Sequence, residues 1–295
     1  MKIAIASGKG GTGKTMVTAS LATIWEKPVV AVDLDVEEPN LDLFLKPVIS
    51  DHRNAFLEVP EVDESKCDFC RQCSDLCQYK AISVLNNVIM VFPEMCHGCG
   101  GCMAICPQKA ISSGKRILGE IFLGASQSIE FLMGRLRIGE AMSPPLIRQV
   151  LETLSCRGLF SPQADVLIDS PPGVSCPAVS AVIESDVIVL VTEPTPFGLF
   201  DLRLARKAFT PLNKPMGVVI NRAGLGNDEI YHFCEKVQLP ILAEIPYQRR
   251  IAQTYSKGLI VAQSSKKMND LFIKLARAIS NLAADATDGA TCMKF

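Results

Sequence analysis

Eight cysteines fall in two runs, Cys67-x2-Cys70-x2-Cys73-x3-Cys77 and Cys96-x2-Cys99-x2-Cys102-x3-Cys106-Pro107. Each cysteine of the second run lies 29 residues after its counterpart, and the offset outlasts them, since Lys80-Ala81-Ile82-Ser83 recurs as Lys109-Ala110-Ile111-Ser112. The region is therefore an internal duplication. A cubic iron-sulfur cluster takes four thiolates around one centre, and this spacing supplies three from a tight loop while the fourth reaches a neighbouring cluster. Structural zinc and a disulfide framework are the competing chemistries. Neither accounts for a third and fourth cysteine at matching spacing in each run, so the pattern predicts two [4Fe-4S] clusters.

A second chemistry is written at the start of the chain. Lys2 to Ser7 is a buried-strand pattern, Gly8-Lys9-Gly10-Gly11-Thr12-Gly13-Lys14-Thr15 follows, and a helical run extends through Trp25. The glycines let backbone N–H groups converge on phosphate oxygens, Lys14 reaches the terminal phosphates of ATP, and Thr15 offers its hydroxyl to Mg2+. Lys9 is an extra lysine that a generic phosphate loop does not need. In its own subunit it would flex idly, whereas across a dimer interface it would help neutralise transition-state charge. Acidic residues end two later strand patterns, at Asp33-x-Asp35 and at Asp169. A strand-terminal Asp that merely caps a turn is the plain alternative, and it weakens for Asp35 and Asp169 because their order along the chain suits phosphoryl transfer.

Both modules resemble known families. The cysteine runs are similar to those of bacterial two-cluster ferredoxins, and that likeness implies crossed ligation: Cys67, Cys70, Cys73 and Cys106 for one cluster, Cys96, Cys99, Cys102 and Cys77 for the other. Gln78 stands after Cys77 where the second run has Pro107, which leaves the ligand set intact. Lys-Gly-Gly-Thr-Gly-Lys-Thr, with Asp33 to Leu43 and Ala164 to Gly173, resembles the MinD/ParA/nitrogenase iron protein class of phosphate-loop ATPases, in a form carrying an inserted ferredoxin domain. The resemblance implies that Asp35 orients the attacking water, with Asp33 and Asn40 supporting the site. It also implies that Asp169 holds Mg2+ through water, that Gly173 senses the terminal phosphate, and that Asn221 contacts adenine beside Pro246-Tyr247. An ATP-dependent homodimer, or a heterodimer with a related ATPase, is implied as well.

The elements that must position these residues are strands alternating with helical stretches. Val29 to Val32, Val187 to Val191 and Met216 to Arg222 are further buried-strand patterns, which predict a doubly wound parallel α/β sheet with nucleotide at the strands' carboxyl ends. Polar, proline-marked Glu58 to Ser65 and Ser112 to Lys115 bracket the insert, giving an ATPase domain over 1–60 and 113–285, a small α+β ferredoxin-like domain over 61–112, and a tail over 286–295. The insert interrupts the ATPase between Asp35 and Asp169. Within it, Val84 to Val91 reads as a hairpin turning at Asn86-Asn87. Gly119 to Leu154 is glycine-studded, then helical after Pro144-Pro145, and carries no assigned chemistry. Cys176, seven residues after Asp169, is read as a small buried residue rather than a ligand at a dimer axis. Cys156, Cys234 and Cys292 are read as core or tail cysteines, and His97 as tuning hydrogen bonds at a cluster loop.

Composition sets the outer bounds. At 295 residues, 48% hydrophobic and net charge -1, the chain can bury a full core plus a small second one. Scattered basic residues give no nucleic-acid footprint. No apolar run approaches a membrane span, no basic amphipathic helix marks the tail, and Met1-Lys2 leads straight into a strand, so no signal peptide is expected. Reduced thiols place the protein in a reducing cytoplasm. The expected activity is Mg2+-dependent ATP hydrolysis coupled to electron transfer to a redox partner. An ATP-dependent metal-cofactor assembly factor serving a cofactor protein is the alternative, and a MinD/ParA-type spatial regulator ranks third.

Overall fold

The computed structural model describes residues 1–156 and 158–291. The chain begins β1 (Lys2–Ala6), α1 (Lys14–Ile24), β2 (Val29–Asp33), α2 (Leu41–Leu45) and β3 (Val48–Val62). The cysteine-rich stretch adds α3 (Gln72–Leu76), β4 (Ile82–Leu85), β5 (Val88–Val91) and α4 (Gly101–Ile105). There follow β6 (Ile111–Ser126), β7 (Ile129–Leu136), α5 (Pro144–Ser155), β8 (Asp165–Asp169), α6 (Cys176–Val182), β9 (Val187–Thr192) and α7 (Pro196–Phe209). The chain closes with β10 (Met216–Ala223), α8 (Glu229–Lys236), β11 (Ile241–Pro246), α9 (Arg249–Ser256) and α10 (Lys266–Thr291). Residues 286–291, expected as a tail, continue α10; Cys292 lies outside the described residues.

The strands order as β11-β10-β9-β1-β8-β2-β7-β6-β3, and β4 pairs with β5 in a separate two-stranded sheet. From β11 to β7 each neighbouring pair is parallel, which explains why these strands read as continuous apolar runs: helices cover both faces of a parallel sheet. Because β1 lies between β8 and β9 while the chain first crosses to β2, the loop after β1 opens at the point where strand order reverses, the usual position of a nucleotide site.

Two compact units divide the chain, residues 1–52, 121–135 and 147–295 in the first, and 53–120 with 136–146 in the second. In the first, Ile3, Val17, Leu21, Phe131, Leu167, Val189 and Phe272 belong to one buried core. The second is wider than 61–112, and the residues expected to be linkers at its edges are strand. Glu58 to Val62 belong to β3 and Ser112 to Lys115 to β6, and the Asp63 amide donates to the Ala110 carbonyl at 2.8 Å. Gly119 to Leu136, left without chemistry by its sequence, forms the second half of β6 and all of β7, joined through Gln127-Ser128. A two-residue connection joins antiparallel neighbours only. The predicted hairpin is present: Leu85 faces Val88 across Asn86-Asn87, with Asn86 at φ 53°, the left-handed conformation Asn tolerates.

Phe131 in β7 is fully buried. Phe131→Ala is expected to cost about 3–5 kcal/mol, read as a lowered urea midpoint without change of slope.

Candidate functional site

The phosphate loop is set by two glycines in left-handed backbone, Gly11 at φ 74° and Gly13 at φ 100°. Gly13 caps α1, its carbonyl accepting from the Val17 amide at 3.0 Å. A Cβ on Gly13 would stand 2.5 Å from Asn221 Nδ2, so this glycine is required by both conformation and space. Asn221 is 8% exposed and donates to the Thr12 carbonyl at 2.7 Å. The side chain expected to meet adenine is thus also a brace that holds the loop open.

Behind the loop, strand register gathers the acidic residues. Asp33 of β2 faces Asp169 of β8, and Asp169 in turn lies beside Ile5 of β1. Asp33 is fully buried and accepts from three backbone amides, Asp35 at 3.0 Å, Asn40 at 3.0 Å and Leu41 at 2.9 Å. It is the turn-capping aspartate of the plain reading, and it fixes the loop carrying Asp35. Burial, with Asp169 adding to it, holds the Asp33 carboxyl well above its ordinary range. Asp169 is raised by burial, against the pull of Lys14 and hydrogen bonds from Thr15 and Thr18, the last at 3.3 Å. Burial and the Asp169 charge push Asp35 up to about 7, while Lys14 pulls it down. Lys14 itself is 6% exposed. Asp35 and Asp169 share the pull of Lys14, with Asp33 buried beside Asp169, and hard oxygen donors of this kind suit Mg2+. Thr12 Oγ1 and Ser170 Oγ are buried here without a hydrogen-bond partner among the described residues.

Lys9 does not flex idly. Its Nζ pairs with Glu193, which Arg222 also holds at 2.8 Å. Glu193 and Arg222 carry no signal in the sequence: Glu193 directly follows β9 and Arg222 is the next-to-last residue of β10, and only Arg222's left-handed backbone, φ 55°, marks it as constrained. Gly173 is in left-handed backbone, φ 91°, with its amide on the Ser7 carbonyl at 2.9 Å. A cavity of about 290 Å³ opens beside Gly11, Gly13 and Asn221, walled by Pro246, Tyr247 and Tyr255.

In the cysteine-rich unit the 29-residue repeat is also a repeat of backbone. Phe69 and Gly98, Arg71 and Gly100, and Lys80 and Lys109 are all left-handed, and α3 and α4 occupy equivalent positions. Ala81 donates to Cys77 Sγ and Ala110 to Cys106 Sγ, each at 3.3 Å. Amides around Cys77, the Ala81 amide foremost, outweigh its burial and hold its thiol below the ordinary range. A cavity of about 220 Å³ is lined by Cys96, Cys99, Cys102 and Cys77, with Cys73 also on its wall. Cys67, Cys70 and Cys106 lie outside that cavity's lining, and Cys70 is exposed.

The cysteines present among the described residues are free, which removes the disulfide framework there. No three or more His, Cys, Asp or Glu side chains are grouped to hold a metal ion among the described residues. That applies to Cys67, Cys70, Cys73, Cys77, Cys96, Cys99, Cys102 and Cys106 and to Asp169 alike. A zinc site needs four ligands about 2.3 Å or less from one ion, and these sulfurs are not so gathered. Cys176, expected to be buried, is exposed at the first position of α6, and Cys156 is exposed too, while Cys234 is buried. The His97 ring stacks on Tyr79, centroids 3.4 Å apart and planes 7° apart.

The CobQ/CobB/MinD/ParA nucleotide-binding domain model matches residues 3–261. The chain belongs to that family. An uncharacterised protein of Methanocaldococcus jannaschii is 30% identical over 92% of this chain and 93% of its own length. The septum site-determining protein MinD of Thermotoga maritima is 24% identical over 94% and 87%. Among solved structures, the septum site-determining protein MinD of Pyrococcus horikoshii, complexed with Mg-ADP, superposes with a TM-score of 0.59 at 22% identity, covering 97% of this chain and 98% of that one. The fold is thus that of a MinD-like phosphate-loop ATPase, the likeness the sequence had ranked behind redox coupling as a guide to role. No helix among the described residues is long and apolar enough to cross a membrane.

Asn221→Ala releases the Thr12 carbonyl and is expected to weaken nucleotide binding by roughly tenfold, the worth of one hydrogen bond, as measured with a fluorescent nucleotide analogue.

Proposed function

We propose that this chain is a Mg2+-dependent ATPase whose cysteine-rich unit carries two [4Fe-4S] clusters, with ATP-driven dimerisation and hydrolysis coupled to electron transfer to a redox partner. The observation that carries the cluster half is the doubled backbone. Phe69, Arg71, Lys80 and Lys109 keep left-handed conformations that non-glycine residues adopt at a cost, and such strain persists where a site demands it. The donor set fits: free thiols, amide N–H groups directed at Cys77, Cys106 and Cys96, and one cavity lined by a complete crossed set. A cubane of irons and sulfides keeps its thiolates farther apart than one ion does, so the absence among the described residues of a group gathered round one ion does not oppose a cluster. The unit's buried core joins Cys73 to Ile82, Val84, Ile89 and Ile111, with Cys67, Cys77, Cys102 and Cys106 packed against it, and so small a core ordinarily needs a staple. A [4Fe-4S] cluster would supply a one-electron reservoir.

On the ATPase side, Gly8, Gly10, Gly11, Thr12 and Gly13 cradle the phosphates, Lys14 meets the terminal ones, and Thr15 with Asp169 would hold Mg2+, which would neutralise phosphate charge. Asp35 orients the attacking water and Gly173 registers the terminal phosphate. Asn221 and Tyr247 flank the base in the cavity beside the loop. Lys9 serves the neighbouring subunit after leaving Glu193.

Likeness to MinD favours a second reading, nucleotide-driven spatial regulation, for which the doubled cysteine loops have no use. Protein purified anaerobically is expected to hold about eight irons and eight sulfides per chain and to release phosphate from Mg-ATP when reduced. Asp35→Asn is expected to lower kcat at least about a hundredfold, and Lys14→Ala to abolish binding. Cluster-loaded protein that hydrolyses no ATP sinks the coupling, and iron-free protein with a localised fluorescent fusion selects the regulator. Transfer of iron and sulfide to an apo-protein on ATP addition selects the assembly factor.

A further inference from the structure

Because the two runs are copies, Asp68 and His97 occupy equivalent positions, and so do Tyr79 and Gln108. The structure pairs them crosswise. Gln108 Nε2 donates to Asp68 Oδ2 at 3.1 Å, and the His97 ring stacks on Tyr79. Each pair joins the residue after the first cysteine of one run to the residue two past the last cysteine of the other, so each bridges the two strands of chain that a crossed ligand set brings together. One pair carries a carboxylate and the other two stacked aromatic rings. The Cys70 amide donates to Asp68 Oδ1 at 3.2 Å, fixing that charge against its own loop. His97 and Tyr79 instead wall the cavity with Cys96, Cys99, Cys102 and Cys77.

Other nearby charges do not cancel the difference. Lys80 and Lys109 are equivalent in the repeat, Arg71 and Asp75 of the first run are a pair of opposite charges where the second has Gly100 and Ala104, Asp63 pairs with Lys66 at 2.8 Å, and Glu58, which also lines the aromatic-walled cavity, has its carbonyl 4.0 Å from Cys96 Sγ. Arg116, within electrostatic reach of Cys96, is matched by Glu140 and Glu94 together with Arg137. Adding an electron to a cluster beside a fixed carboxylate costs Coulomb energy that the aromatic-capped site does not incur, and cluster potentials follow local charge and solvent exposure.

Resting on the cluster reading above, we propose that the two sites are electrically unequal. The set Cys67, Cys70, Cys73 and Cys106, under the Asp68–Gln108 pair, holds the lower-potential cluster, and the set Cys96, Cys99, Cys102 and Cys77, under the His97–Tyr79 stack, holds the higher. A single electron taken from a one-electron donor such as dithionite reduces the aromatic-capped cluster first, and the second electron goes to the carboxylate-capped one.

The test is an anaerobic potentiometric titration of the full, cluster-loaded chain at pH 8, followed by electron paramagnetic resonance. Two separate one-electron waves are expected. Asp68→Asn should raise only the lower wave, changing its reduced-to-oxidised ratio at fixed potential about tenfold, or about 59 mV. His97→Asp should lower only the upper wave and narrow the gap. It also tests the proposal if the first variant loses its cluster. Coincident waves in the natural protein, or variants that move both waves together or neither, overturn the inequality and leave the cluster reading standing. Protein without iron and sulfide overturns both.

Discussion

The register of β2 against β8 is the constraint on which the nucleotide half depends. By setting Asp33 opposite Asp169 at the carboxyl ends of adjacent parallel strands, it concentrates negative charge at a point where burial makes charge expensive. Lys14 is drawn in, the loop carrying Asp35 is tied down by the three amides on Asp33, and the phosphate loop is held by Asn221 from the far side. A one-residue slip would turn these side chains to the other face. The apolar runs that fill β1, β2, β8 and β9 therefore do more than supply a core: they fix the alignment of the acids.

The cysteine-rich unit has a different organising constraint. Its backbone is bent by paired left-handed residues rather than by long-range sheet register, and glycine supplies that bend at Gly98 and Gly100 where the other copy uses Phe69 and Arg71. Cysteines take places in its core that larger apolar side chains would fill elsewhere. Such a unit stores little stabilisation of its own, and on the proposed reading its clusters would staple it.

Legibility in the sequence followed the range of the forces involved. The phosphate loop, the strand-terminal Asp33, Asp35 and Asp169, and the Asn86-Asn87 hairpin were visible because each is set by neighbours within a few residues. The lengths of β3 and β6 were not, since their pairing is long-range and their polar, proline-bearing ends look like linker. Glu193 and Arg222 were invisible for the same reason: Glu193 matters by meeting Lys9, 184 residues away, and Arg222 by reaching Glu193 and the Gly11 carbonyl, the latter 211 residues away. The aromatic and polar caps on the repeated loops became legible only as pairs, because neither His97 nor Asp68 is unusual alone.

Glu193 is shared between two cations, and sharing changes what it costs to let one go. A buried carboxylate stripped of a sole partner is left uncompensated, a loss of about 3–5 kcal/mol. Here Arg222 holds Glu193 at 2.8 Å independently of Lys9, so a departure of the lysine, as the proposed reading requires, would not strand a charge. The arrangement is a parking place with a built-in substitute.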